Sequence, residues 1–226
     1  KSPTDMGVNR AGFSIIDDDL CKRAACQEII RRYIIAECDY KKGKILENSL
    51  ERSKLLMKEV GLDVLDRKTV KPAREYVEKK RNCDKRYENV VAMALEMPDS
   101  TIIIGRSSRR MVAASAVLLN AIKQLSGIAD DIHLISPQVL ETIQNLKTTV
   151  LLHDRASLNC EEILMALMIS AAINPSAELA ANKIAFLRGC TAHCTAILSD
   201  RDEQTLRSLG IDVTCDPEYV TTNLYF

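Results

Sequence analysis

The sequence has 226 residues, 46% of them apolar and 27% charged, and its 31 lysines and arginines balance 31 aspartates and glutamates. A zero formal charge gives no electrostatic reason to expect nucleic acid or an anionic membrane as partner. The longest apolar run, "ILMALMISAAI", falls well short of the roughly 20 residues that cross a bilayer, so it predicts a buried helix in a soluble, cytoplasmic protein.

Residues 1–16 bear Gly7 and Gly12 and predict a loop that enters a short strand, "GFSII". Asp17 to Asp19 place negative charge where a helix would start, and Leu20, Ala24, Ile30, Tyr33 and Ile34 then recur at helical spacing. A second helix is predicted from about Ile45 to Val60, stopped by Gly61. A third, "TVKPAREYVEKKR", is short and polar, with Pro72 in its first turn. These charge runs read as solvated helix faces. "YENVVAMALEM" and "TIIIG" flank the turn "PDS" and predict a β-hairpin. The stretch "SSRRMVAASAVLLNAIKQLSG" predicts a helix capped by Ser107 and closed by Gly127. Strand "IHLIS", a helix opened by Pro137 and strand "TTVLLHD" are expected next. Asn159 and Glu162 form a capping box for the helix at 160–174, which is apolar nearly all round and expected to be buried. One more helix closed by Gly189, strand "AHCTAILS", a helix capped by Ser199 and strand "DVTCD" complete the chain. The expectation is an α/β protein: a helical subdomain over 1–85, then a layered α/β subdomain over 86–226.

Cys21, Cys26, Cys38, Cys160 and Cys215 lie within predicted helices or strands beside apolar residues. That is not the pattern of a loop-rich disulfide scaffold, and the eight cysteines read as reduced, mostly buried thiols. The start, "KSPTDMGVN", has neither an initiator Met nor a signal segment and reads as part of something longer.

Three stretches could carry chemistry. "GCTAHCTAILSD" places Cys190, His193 and Cys194 within five positions. Zinc needs about four ligands, usually as two pairs, and this stretch offers at most three. On a strand, Cys194 and Ala192 face one way and His193 and Thr195 the other. No metal site is expected, and His193 is the candidate polar or acid–base group. In "IIIGRSSRRM" a strand ends at Gly105, and Arg106, Ser107 and Ser108 precede a helix whose N–H groups would attract an anion. Gly105 would allow close approach of a ligand to the backbone, and Arg106, Arg109 or Arg110 could fork onto a phosphate or carboxylate. The Walker spacing is absent. In "SPTDMGVN", Thr4, Asp5 and Asn9 are short polar groups in a loop of the kind that lines sites.

Five blocks in order, "SPTDMGVN-x-x-GF-x-I-x-D", "QEIIRRY", "LLNAIKQLSGIADDIHLISPQVLETIQNLK", "AHCTAILSD" and "LGIDVT-x-DPEY", resemble the C-terminal half of a mainly bacterial family, domain-of-unknown-function family 1846. The resemblance implies members about twice this length, whose nucleotide-binding-like N-terminal half is absent here. It also implies a helical subdomain followed by an α/β subdomain of deaminase-like topology. The family pattern G-x-E-A-H-S-T is replaced by Gly189, Cys190, Thr191, Ala192, His193, Cys194 and Thr195, so a glutamate and a serine are lost. A G-K-[ST] step is replaced by Gly105, Arg106 and Ser107. Neither ligand motif of the zinc deaminases is present, so zinc deamination is not implied. What the likeness keeps is a pocket at the helix starts near Ser107 and Ser136.

The function expected is therefore binding of a phosphorylated or nucleotide-like small molecule by the C-terminal domain of a cytoplasmic protein. Arg106, Ser107 and Ser108 would hold the anion, His193 would supply the polar group, and Thr4, Asp5 and Asn9 would close the site. No cofactor is identified, and whether the chain is an enzyme stays open. The alternative is a structural or oligomerisation module without catalytic activity, in which the apolar helix at 160–173 serves a homo-oligomer. A third reading is a thiol- or metal-binding domain built on Cys190 and Cys194.

Overall fold

The computed structural model describes residues 17–220, so the strand expected at 12–16 lies outside the described residues. Contacts divide the chain between Arg67 and Lys68. In the first unit, α1 (Asp18–Lys41) starts where Asp17 accepts a hydrogen bond from the Leu20 N–H at 2.8 Å, and Asp18 and Asp19 sit at the positive end of its dipole. It packs against α2 (Glu47–Val60), which ends at Gly61 with a left-handed φ of +72°. The apolar stripe of α1 is used unevenly: Ile30 and Ile34 are buried, whereas Leu20 is exposed.

The second unit has three layers. Helix α3 (Val70–Cys83) covers one face of a four-stranded sheet. The strands are β1 (Ala92–Glu96), β2 (Ile102–Arg106), β3 (Thr191–Cys194) and β4 (Asp212–Cys215), in the order β2-β1-β3-β4. β1 is antiparallel to both neighbours, and β3 and β4 are parallel. Helices α4 (Ala113–Ser126), α6 (Cys160–Ala171), α7 (Pro175–Ala181) and α8 (Asp200–Ser208) supply the main core on the other face, where Met93, Leu95, Ala192 and Cys194 meet Val117, Leu118, Ile163 and Leu167. The chain is thus a mixed α/β protein, with eight α-helices and four strands among its described residues. No helix among them is long and apolar enough to cross a membrane.

Four expectations are corrected. "IHLIS" is no strand: it is irregular, and Asn174 Nδ2 donates to the His133 and Leu134 carbonyls that a neighbouring strand would have claimed. "TTVLLHD" is no strand either. Helix α5 (Pro137–Asn145) runs on into a π-helical turn, Leu146–Val150, and the apolar side chains of Val150, Leu151 and Leu152 are exposed. The turn is fixed by buried Lys147, whose Nζ donates to the Ser157 carbonyl and pairs with Glu162, each at 2.8 Å. Helix α4 starts at Ala113 rather than after Ser107, because Met111 and Val112 lie extended beside Leu158, with Val112 N–H donating to the Leu158 carbonyl at 3.1 Å. Finally, α6 is buried on one face only; Met165, Met168, Ile169 and Ile173 are 56, 57, 66 and 89% exposed.

Gly105 lies in β2 opposite Met93, on the α4 side of the sheet. A Cβ there would stand 2.1 Å from Val117 N and 2.6 Å from Val117 Cα, so the missing side chain is what lets the α4 backbone rest on β2. The role expected for Gly105 in ligand approach is taken by helix packing. Asn120 Nδ2 secures the same contact by donating to the Ile104 carbonyl at 2.9 Å. Gly105→Ala is expected to lower stability by about 3 kcal/mol in chemical unfolding, since neither backbone can yield cheaply. A loss below about 0.5 kcal/mol, the scale of an ordinary surface substitution, would show that the packing is looser than described.

Candidate functional site

The register brings Ala92 beside Arg106, Met93 beside Cys194, and Cys194 beside Cys215. The N-terminal end of β1 and the C-terminal ends of β2, β3 and β4 therefore lie along one sheet end, the position where open α/β sheets bind ligands. Loop backbones knit this end together. Ser107 and Val91 exchange two hydrogen bonds, the Ser107 N–H donating to the Val91 carbonyl and the Val91 N–H to Ser107 Oγ. Thr195 and Ala92 repeat the arrangement across β3.

A cavity of about 250 Å³ opens on the α4 side of this end, lined among others by Ser107, Ser108, Arg155, Ser157 and by Val112 and Ala113 at the start of α4. No side chain caps α4. Its Ala113, Ala114 and Ser115 N–H groups have no acceptor within the helix, although all three residues are buried. The neighbouring helix starts are served differently. Asp202 accepts from the Cys160 N–H at the start of α6 and from Ser199 Oγ, the cap of α8, at 2.8 and 2.7 Å. One buried carboxylate thus answers two helix N-termini and leaves the third open.

On the opposite face, under α3, lies a cavity of about 470 Å³. Arg74 and Asp216 of its wall belong to a polar chain that begins behind them at fully buried His193. His193 Nδ1 stands 2.9 Å from Thr214 Oγ1, and Nε2 stands 3.2 Å from Asp216 Oδ1. An ionised carboxylate only accepts, so the Nε2 proton is donated to Asp216. Arg74 of α3 then forks onto the same carboxylate, Nη2 to Oδ1 at 2.5 Å and Nε to Oδ2 at 3.1 Å. This network ties α3 to the ends of β3 and β4.

The residues singled out in sequence are dispersed by the fold. Ser107 and Ser108 reach the smaller cavity. Ser108 Oγ also accepts from the Arg110 and Met111 N–H groups, which makes it a turn former rather than a helix cap. Arg106 does not line that cavity: its guanidinium lies 5.3 Å from the centre of the Tyr87 ring on the α3 side and reaches the Ser107 carbonyl at 3.5 Å. Ser136 caps α5 and does not line the cavity. Gly105 lies under α4. His193 lines neither cavity and holds Asp216. Thr4, Asp5 and Asn9 lie outside the described residues.

Cys190, His193 and Cys194 do not converge: Cys194 faces the main core and His193 the α3 side. Burial pushes the Cys190 and Cys194 thiols up, away from reactive thiolate. The eight cysteines are thiols outside any disulfide, with Cys38, Cys160, Cys190 and Cys194 buried and Cys21 and Cys83 exposed. Sequence reasoning missed Arg155, Arg74 and Asp216. The last lies in "DVTCD", where an aspartate ending a strand was the available signal.

Burial alone would raise the Asp216 pKa, but hydrogen bonds from His193 and Arg74 overcome it and hold the carboxyl at about 2 against an ordinary 3.8. The folded value is the lower one, so this stabilisation is fully present above about pH 4 and is lost as the pH falls toward 2. It amounts to about 2 kcal/mol. Urea unfolding of Asp216→Asn should show it less stable than wild type by about that amount at neutral pH, with the gap closing between pH 4 and 2. A gap that stays constant with pH would mean that ionisation of Asp216 is not what holds the network.

Comparison with known proteins places these elements in a family. Residues 65–225 match the model described as "Domain of unknown function DUF1846, C-terminal", and residues 1–61 match "Domain of unknown function DUF1846, N-terminal". The expectation of a C-terminal half alone is thereby corrected: the part before residue 62, read as a leading subdomain of that half, belongs to the N-terminal domain. A UPF0371 protein of Clostridium botulinum strain Kyoto / Type A2 is 53% identical over all 226 residues. One from strain Alaska E43 / Type E3 is 54% identical over the same span. The chain spans 45% of the length of each of these relatives. With family models matched along nearly its whole length, the chain belongs to the DUF1846 family and carries parts of both its N-terminal and C-terminal domains.

Proposed function

We propose that the cavity at the start of α4 binds the anionic group of a small phosphorylated or nucleotide-like molecule. The observation that carries this reading is the buried, uncapped N-terminus of α4 opening on Ser107, Ser108, Ser157 and Arg155. Helix N–H groups, a positive dipole end, hydroxyls and a guanidinium together suit a phosphoryl group. Asp202 also lines the cavity, but its oxygens are turned to Cys160 and Ser199, which limits its repulsion of an anion. A volume of about 250 Å³ suits a phosphoryl group on a small body. The order β2-β1-β3-β4 supports a deaminase-like topology for this unit, without implying deamination. In calorimetry with inorganic phosphate and nucleoside monophosphates, Arg155→Ala and Ser107→Ala should each weaken binding about tenfold. Arg106→Ala should leave it unchanged. Equal affinity in all three variants, or no binding by the wild type, would end this reading.

The exposed outer face of α6 favours a second reading, a surface for self-association. Met165, Met168 and Ile169 lie on one side of the helix with Ile173 beyond its end, and large apolar patches mark contact surfaces. Sedimentation velocity should then show an oligomer that Ile169→Glu dissociates. A wild-type monomer at all concentrations would remove this reading.

A further inference from the structure

We propose that the cavity under α3 is a second binding site, for a zwitterionic amino acid with an apolar side chain. The site is a cavity of about 470 Å³, a size that suits small-molecule ligands. Its helical wall is one face of α3: Arg74, Val77, Glu78, Arg81 and Asn82 recur at i, i+3, i+4, i+7 and i+8. Val77, Val90, Val91 and Ala196 form an apolar floor beneath them.

The charges around that floor are not all spent within the protein. Arg74 and Asp216 neutralise each other, held in place by His193. Arg81 also lines the cavity, as do Glu78 and Glu218; among the described residues none of these three side chains has a hydrogen bond or ion-pair partner given by the structure. The cavity therefore offers one cation and two carboxylates, together with the Asn82 and Asn89 amides, around an apolar base. Two carboxylates repel a phosphate dianion, and the fixed charges make a purely apolar ligand costly to seat. A molecule with an ammonium group for Glu78 and Glu218, a carboxylate for Arg81 and a hydrocarbon body for the valines satisfies every group at once. The site is separate from the anion cavity: it lies on the other face of the sheet end, and the two share the apolar wall residues Val91, Ala196 and Val220 but none of the charged or hydrogen-bonding side chains assigned to a ligand.

The test is calorimetry of the intact 226-residue chain with L-leucine, L-valine, L-methionine and L-phenylalanine at millimolar concentration. It is run beside two half-probes of leucine, 3-methylbutylamine and 4-methylpentanoate, which lack the carboxylate and the ammonium group respectively. At least one amino acid should bind more tightly than both half-probes. Arg81→Ala should weaken that amino acid about tenfold and leave the amine unaffected, and Glu218→Gln should likewise weaken the amino acid about tenfold and leave the carboxylic acid unaffected. Arg81 and Glu218 are exposed or at the rim, so unchanged melting temperatures are expected for both variants. Ser107→Ala should leave amino-acid binding unchanged, which separates this site from the phosphate site. No binding of any of the four amino acids overturns the proposal, as does binding that survives both substitutions.

Discussion

β1 hydrogen-bonds along both edges, to β2 and to β3, and is antiparallel to each. Everything at the candidate sites follows from that pairing. A central strand running against its neighbours puts its own entry beside their exits, so the connections after β2, β3 and β4 all leave at one end of the sheet. Four loops then compete for a small area. They are reconciled by reciprocal bonds between Val91 and Ser107 and between Ala92 and Thr195, which extend the sheet by one residue on either side of β1. The crowding leaves gaps on both faces, and these are the two cavities.

The two faces solve buried charge in different ways. On the α4 side, the buried carboxyl of Asp202 is satisfied by a backbone N–H and a hydroxyl from two helix starts. On the α3 side, Asp216 is satisfied by a histidine from β3 and a guanidinium from α3. Both carboxylates would be costly without these partners, because a buried charge loses its hydration. The first solution exhausts the helix dipoles of α6 and α8 and leaves that of α4. The second exhausts Arg74 and leaves Arg81, seven residues or about two helical turns further along the same face. The α4 start and Arg81 are left outside this internal compensation. The zero net charge of the chain hides this, since it averages over a locally positive helix start and a mixed rim.

The parts of the fold legible in sequence are those set by local chemistry. Asn159 and Glu162 form the capping box they suggest, Ser199 caps α8, and Gly61 and Gly127 end their helices with left-handed backbones. The hairpin around Pro98 reads correctly because two β-rich runs and the turn between them agree. "IHLIS" and "TTVLLHD" misled because short apolar runs carry no local signal for a strand; a partner edge decides, and here a helix cap and a buried lysine decided otherwise. The start of α4 was misplaced for the same reason, since Leu158 lies far along the chain from the residues it holds extended. The candidate sites were the least legible part. Ser107 and Ser108 were visible as a polar loop, but Arg74 and Asp216 are 142 positions apart, and nothing in spacing joins them.

Two of the positions at which this chain departs from the pattern it resembles, Thr191 and Cys194, have a physical reading in the same sheet. Thr191 pairs across the strands with Glu96, and its hydroxyl donates to Glu96 Oε2 at 3.2 Å. A glutamate at that position would set two carboxylates side by side on one face, a destabilising cross-strand pair. With threonine, Glu96 gains a donor instead and also pairs with Lys68 at 2.6 Å. Cys194 is buried among apolar side chains of the main core. A serine hydroxyl there would need a hydrogen-bond partner, whereas a thiol packs as a small hydrophobe. Both departures lower the demand for polar compensation along β3, and neither residue contributes to the groups assigned to a ligand. The strand that carries His193 acts as a buried support, and the polar groups that line the two cavities lie mainly on α3 and in the loops around the sheet end.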